Sequence, residues 1–143
     1  MFNGDYAALT RLAGGVPAPI ALLANVNGRF VTAEDAGNSP LIANRTAVSG
    51  WEKFQVIVSS DATISLRAAV NGRYVTAENA GSSPLIANRT AIGLWEKFTR
   101  IDPYVISLRA DVNNRYVTAE NAGSSPLIAN RTAINLWEQF HLI

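Results

Sequence analysis

Trp51, Trp95 and Trp137 are each followed directly by a glutamate: Glu52, Glu96 and Glu138. A second glutamate, Glu34, Glu78 or Glu120, precedes each tryptophan by 17 residues. An exposed aromatic ring can lie under the C–H face of a sugar. A carboxylate then accepts from the sugar hydroxyls, and a charged acceptor makes the stronger bond. One Trp with one Glu suits a shallow pocket for one or two sugar units. Three such pockets would turn weak single-site binding into multivalent binding on a polymer. The same residues have a structural use. A Trp beside a turn can be a packing residue, and a Glu in an Ala-Glu-Asn corner can satisfy nearby backbone donors. Repetition does not discriminate, because core residues repeat as faithfully as site residues.

Other chemistry is poorly supplied. His141 is the single histidine and has no matching second ligand, so no metal site is expected. No Ser-His-Asp set, phosphate loop or dinucleotide fingerprint is present, and no cofactor is implied. A glycosidase needs two carboxylates about one scissile bond, one of them with a raised pKa. Glu34 with Glu52 could supply such a pair, but catalytic sites are single and asymmetric, and these are triplicate. The sequence is therefore read as non-enzymatic. Asn44-Arg45-Thr46, Asn88-Arg89-Thr90 and Asn130-Arg131-Thr132 match the glycosylation sequon. They are read instead as a strand-end turn with a buried Arg.

The glutamates and tryptophans belong to a repeat of roughly 43 residues. Ile64–Phe98 and Ile106–Phe140 differ at only four of roughly 35 positions, and Ile20–Phe54 is the same unit with more drift. The repeats are set at 20–62, 63–104 and 105–143, after a leader or linker at 1–19. Each unit reads as four short strands, in the second copy Ile64–Val70, Arg73–Glu78, Leu85–Asn88 and Glu96–Ile101. Asn71-Gly72 reads as a two-residue hairpin turn with both residues at positive φ. Ala80-Gly81-Ser82-Ser83-Pro84 reads as a loop. No stretch carries a helical stripe. Twelve short strands in three units are too few for a propeller and lack the capping repeats of a solenoid. Pseudo-threefold closure, which removes most free sheet edges, predicts a β-trefoil.

Strand alternation assigns faces. Val75 and Ala77 share one face, the better core face; Tyr74, Thr76 and Glu78 share the other. Glu78, Glu34 and Glu120 then point outward. In Trp95-Glu96-Lys97-Phe98, a straight strand with Phe98 in the core puts Glu96 inside and Trp95 outside. An inward Glu needs a partner, and Arg89 is the candidate, with Arg45 and Arg131 in the other copies.

The chain has 143 residues, one domain's worth, and 48% are apolar. Its formal net charge is +1 and its cationic residues do not cluster, which argues against nucleic acid. It has no cysteine, hence no disulfide scaffold or thiolate metal site. No run of 18 apolar residues exists, so no membrane-spanning helix is expected. Residues 1–19 carry no obvious signal peptide.

The run Arg73-Tyr74-Val75-Thr76-Ala77-Glu78-Asn79, then Leu85-Ile86-Ala87-Asn88-Arg89, then Trp95-Glu96-Lys97-Phe98 resembles the fascin-like β-trefoil repeat. It is most similar to the versions attached to bacterial polysaccharide-degrading enzymes, including carbohydrate-binding module family 92. The resemblance covers about Ile20–Ile143 and lacks the Gln-x-Trp signature of ricin-type lectins. It implies a secreted, bacterial, monomeric binding module attached to a glycoside hydrolase, with up to three glycan sites for β-1,3- and β-1,6-linked glucans. Trp51, Trp95 and Trp137 match the motif Trp. For the Glu, strand parity favours Glu34, Glu78 and Glu120 over Glu52, Glu96 and Glu138. The first repeat departs from the others, with Leu23 in place of Arg and Ser49-Gly50 in place of Gly-Leu, so its site is expected to be weaker. The alternatives are a protein-interaction trefoil, as in actin-bundling fascins, and a repeat scaffold without a ligand.

Overall fold

The computed structural model describes residues 18–101 and 105–143. The leader up to Pro17 and the junction at 102–104 between the second and third repeats lie outside the described residues. Twelve strands run in chain order: β1 Leu22–Ala24, β2 Arg29–Ala33, β3 Leu41–Arg45, β4 Phe54–Val58, β5 Ile64–Ala68 and β6 Tyr74–Ala77. They continue as β7 Leu85–Arg89, β8 Phe98–Ile101, β9 Val105–Ala110, β10 Arg115–Ala119, β11 Leu127–Arg131 and β12 Phe140–Leu142. Six one-turn 3-10 segments complete the described secondary structure.

Two sets of strands divide the work. The first and fourth strands of each repeat pair antiparallel around a ring: β4 with β5, β5 with β8, β8 with β9, β9 with β12 and β12 with β1. The bridge between Ile20 and Phe54 closes it. The second and third strands form the hairpins β2–β3, β6–β7 and β10–β11. Their third strands, β3, β7 and β11, contact one another about the pseudo-threefold axis. This is the expected trefoil. Closure satisfies the backbone groups that an open twelve-stranded sheet would leave at its edges.

The core repeats with the sequence. Phe54, Phe98 and Phe140 are fully buried. Leu41, Leu85 and Leu127 join them, as do Val31, Val75 and Val117 and the alanines that follow at Ala33, Ala77 and Ala119. Val75 and Ala77 therefore face the core as the alternation predicts. Thr76 does not face out. It is as buried as they are, with Thr32 and Thr118. The reason is a second layer, because the 3-10 turn Leu94–Glu96 packs against β6 and its counterparts pack against β2 and β10. A strand covered on both faces has no solvent side for parity to find.

The hairpin turn also differs from expectation. Only Gly72 has positive φ, at 69°. Ala68 donates its N–H to the Arg73 carbonyl, and Gly72 donates to the Ala68 carbonyl, which closes a four-residue connection in place of a two-residue turn. Asn71 is instead held by its side chain. Its Nδ2 donates to the Ala87 carbonyl at 2.9 Å and its Oδ1 accepts from the Arg73 N–H at 2.9 Å. Asn27 and Asn113 make the same pairs of bonds.

Candidate functional site

Each hairpin carries a bulge in its third strand. Tyr74 pairs with Arg89 but Val75 pairs with Ala87, so Asn88 is the extra residue. The same shift isolates Asn44 and Asn130. A bulge bends the strand and re-aims the neighbouring side chain. Here it brings the following arginine to the glutamate at the far end of the hairpin. Arg89 Nη2 donates to Glu78 Oε1 at 2.6 Å, and its Nη1 donates to the Asn88 Oδ1 at 2.6 Å. Arg45 with Glu34 and Arg131 with Glu120 repeat the ion pair at 2.6 and 2.5 Å.

The same guanidinium faces the tryptophan. The Cζ of Arg45, Arg89 and Arg131 lies 5.7, 5.8 and 5.8 Å from the ring centroids of Trp51, Trp95 and Trp137. That is within cation–π range. Each repeat thus presents a row of Glu, Arg and Trp, all partly exposed, with the Glu and Arg side chains about one third accessible (33% each for Glu78 and Arg89). The three tryptophans are half-buried rather than fully outward.

The other glutamates are interior. Glu52, Glu96 and Glu138 are 2, 5 and 2% exposed. Their expected arginine partners are taken by Glu34, Glu78 and Glu120. Instead each carboxylate caps its own 3-10 turn. Oε1 accepts from the backbone N–H of Ser49 at 2.9 Å, Gly93 at 2.7 Å and Asn135 at 2.8 Å. A straight strand over Trp95–Phe98 would also turn them inward. They lie inward because a 3-10 turn folds them under the tryptophan, and the fourth strand starts only at Phe98. Burial pushes the Glu52 carboxyl up. The Thr32 hydroxyl, the Ser49 N–H and hydroxyl and the Arg45 charge outweigh that and leave it below its ordinary value. The Thr32 Oγ1 makes no hydrogen bond of ordinary geometry, so we assign the larger share to the well-formed Ser49 bonds.

The structure therefore joins Trp51, Trp95 and Trp137 to Glu34, Glu78 and Glu120 through the shared arginines, and buries Glu52, Glu96 and Glu138. Arg45, Arg89 and Arg131 are partly exposed, not the buried arginines expected of the Asn-Arg-Thr element. The signal was present in the Asn-Arg-Thr element, but the bulge that aims it is a tertiary feature. His141, half-buried in β12, lies in no cluster of metal-ligating side chains, and none exists among the described residues.

The turn beside Trp also differs between repeats. Leu94 and Leu136 are 56 and 52% exposed, next to Trp95 and Trp137, where the first repeat has Gly50.

No protein-family model matches the sequence, and no curated protein sequence is similar to it. Solved structures do share its fold. The designed threefold symmetric protein ThreeFoil superimposes with a TM-score of 0.78 at 20% identity, over 87% of this chain and 97% of that one. The GlcNAcα1-4Gal-releasing endo-β-galactosidase of Clostridium perfringens gives 0.73 at 14% identity, over 87% of this chain and 32% of the enzyme. The exo-β-1,3-galactanase 1,3Gal43A of Clostridium thermocellum gives 0.74 at 11%, over 87% of this chain and 30% of the enzyme. The chain thus spans about a third of each of these two enzymes. At these identities the likeness speaks for the fold alone: the chain is an all-β, pseudo-threefold trefoil.

Proposed function

We propose that the chain is a non-catalytic, multivalent carbohydrate-binding module with one site per repeat, formed by Trp51, Trp95 and Trp137 with Glu34, Glu78 and Glu120. The observation that carries this reading is the threefold recurrence of an accessible Trp ring beside an oriented, arginine-paired carboxylate. The ring offers the apolar platform, and the carboxylate keeps acceptor capacity toward sugar hydroxyls after pairing with one arginine. The resemblance to carbohydrate-binding module family 92 favours β-1,3- and β-1,6-linked glucan as the ligand. That two glycan-cleaving enzymes contain a domain of this shape supports attachment to a secreted bacterial glycoside hydrolase.

Catalysis is disfavoured by the carboxylates themselves. A general acid needs a raised pKa. Glu52, one of the candidate pair, is shifted down and buried.

Native affinity electrophoresis in gels containing laminarin, pustulan or xylan tests the reading. Retardation of the wild type by a β-glucan, weakened in Trp95→Ala, is expected. Equal mobility in every glycan would remove the sugar-binding reading and leave the protein-interaction trefoil in front.

A further inference from the structure

Between adjacent repeats lies a second set of clefts, distinct from the tryptophan sites. One, of about 300 Å³, is lined by Asn27, Arg29 and Asn44 of the first repeat and by Ala122, Gly123 and Ser124 of the third. Its counterpart, of about 290 Å³, is lined by Asn113, Arg115 and Asn130 facing Ala80, Gly81 and Ser82. The third junction has the same base. Asn71 Nδ2 lies so close to Gly37 that a Cβ there would meet it at 2.1 Å, and Arg73 takes the place of Arg29.

These clefts are built before any ligand arrives. The floor is the Asn side chain, fixed by its bonds to a β-strand carbonyl and to the arginine N–H, and pressed against a buried glycine. The rim is an exposed arginine. Arg29, Arg73 and Arg115 make no side-chain hydrogen bond or ion pair among the described residues, unlike Arg45, Arg89 and Arg131, which are neutralised by glutamate. No carboxylate and no aromatic ring lines either of the two clefts. A site for a neutral sugar would want both. One unneutralised guanidinium fork with amide and hydroxyl groups around it instead complements a bound oxyanion.

We propose that Arg29, Arg73 and Arg115 each anchor the oxyanion of an acidic sugar, a uronate carboxylate or a sulfate ester, in the cleft between repeats. The sugar half of this inference rests on the carbohydrate-binding reading above. Asn44 and Asn130 each line a cleft and also accept from the arginine of the adjoining tryptophan site. An acidic glycan chain can therefore pass from an inter-repeat cleft to a tryptophan ring, around a belt in which the two kinds of site alternate.

Isothermal titration of the full chain with trigalacturonate, a sulfated galactan oligosaccharide, laminarin oligosaccharide and inorganic sulfate tests this. The variants are Arg29→Ala/Arg73→Ala/Arg115→Ala and, separately, Trp51→Ala/Trp95→Ala/Trp137→Ala. At least one acidic oligosaccharide should bind the wild type, lose about tenfold or more in affinity in the arginine variant, and weaken with added salt. Laminarin binding should survive in the arginine variant and fall in the tryptophan variant. Trigalacturonate and the sulfated oligosaccharide separate the two kinds of oxyanion. Absence of acidic binding, or its persistence in the arginine variant, overturns the cleft proposal and leaves the tryptophan sites standing. Laminarin binding that is absent from the wild type, or unchanged in the tryptophan variant, overturns the tryptophan reading instead. Inorganic sulfate binding as tightly as the sulfated sugar would show an anion site without sugar recognition and overturn the proposal.

Discussion

Arg89 stands between Glu78 and Trp95, with its Cζ 5.8 Å from the indole centroid and its Nη2 2.6 Å from the carboxylate. One side chain thereby contacts both the indole and the carboxylate. An exposed cation–π contact and a half-exposed ion pair are each worth only about 0–1 kcal/mol of stability. The role of the arginine is mainly one of placement. Arg89→Ala should cost no more than about 2 kcal/mol in unfolding free energy. It should nevertheless weaken glycan binding at that site about as much as Glu78→Ala does. Denaturant melts and titration of variants that retain only the second site would check this. A large loss of stability with unchanged binding would contradict it.

The three tryptophans should not be equivalent. Leu94 and Leu136 extend the apolar surface beside Trp95 and Trp137, and Gly50 leaves it bare beside Trp51. Burying part of a leucine contributes about 1 kcal/mol, a several-fold change in affinity. Trp51→Ala should therefore lower avidity for a polymeric glycan less than Trp95→Ala. Gly50→Leu should strengthen the first site. Comparing retardation of the variants in one glycan gel measures both.

The glycine at each repeat junction is required twice over. Gly81 has φ of 95°, and a Cβ on it would meet Asn113 Nδ2 at 2.0 Å. Gly81→Ala should cost about 2–4 kcal/mol by combining backbone strain with a contact the locked asparagine cannot relieve. Asn113→Ser in that background should recover the steric share only. Thermal unfolding of the two variants and the double variant would separate the contributions.

Acid should loosen the contact between Asp61 and Lys97. The Thr63 hydroxyl and N–H, with the Lys97 ammonium, hold Asp61 down to about 2 from an ordinary 3.8. A depressed carboxyl stabilises the fold fully above its unfolded pKa and loses that contribution as pH falls through its folded pKa. The loss should run from about pH 4 to pH 2. Glu52, also shifted down, has the same sign and loses its contribution below its ordinary 4.5. Asp61→Asn should flatten the stability profile in that window while leaving the slope contributed by Glu52. A profile unchanged by the substitution would remove Asp61 from the acid transition.

The repeat, the trefoil and the phenylalanine core were determined by the sequence alone, because period and alternation are local and are written three times. So was the inward Glu96, though for a strand that proved to be a 3-10 turn. Only the tertiary structure decided which Glu stands beside Trp. Parity suggested Glu78, and the bulge at Asn88 settled the arrangement by swinging Arg89 onto it, away from its expected partner Glu96. The burial of Thr76 and the clefts at Gly37, Gly81 and Gly123 were likewise invisible. Each depends on a segment distant in sequence lying across the strand or the loop, and no period within one repeat encodes what its neighbour places there.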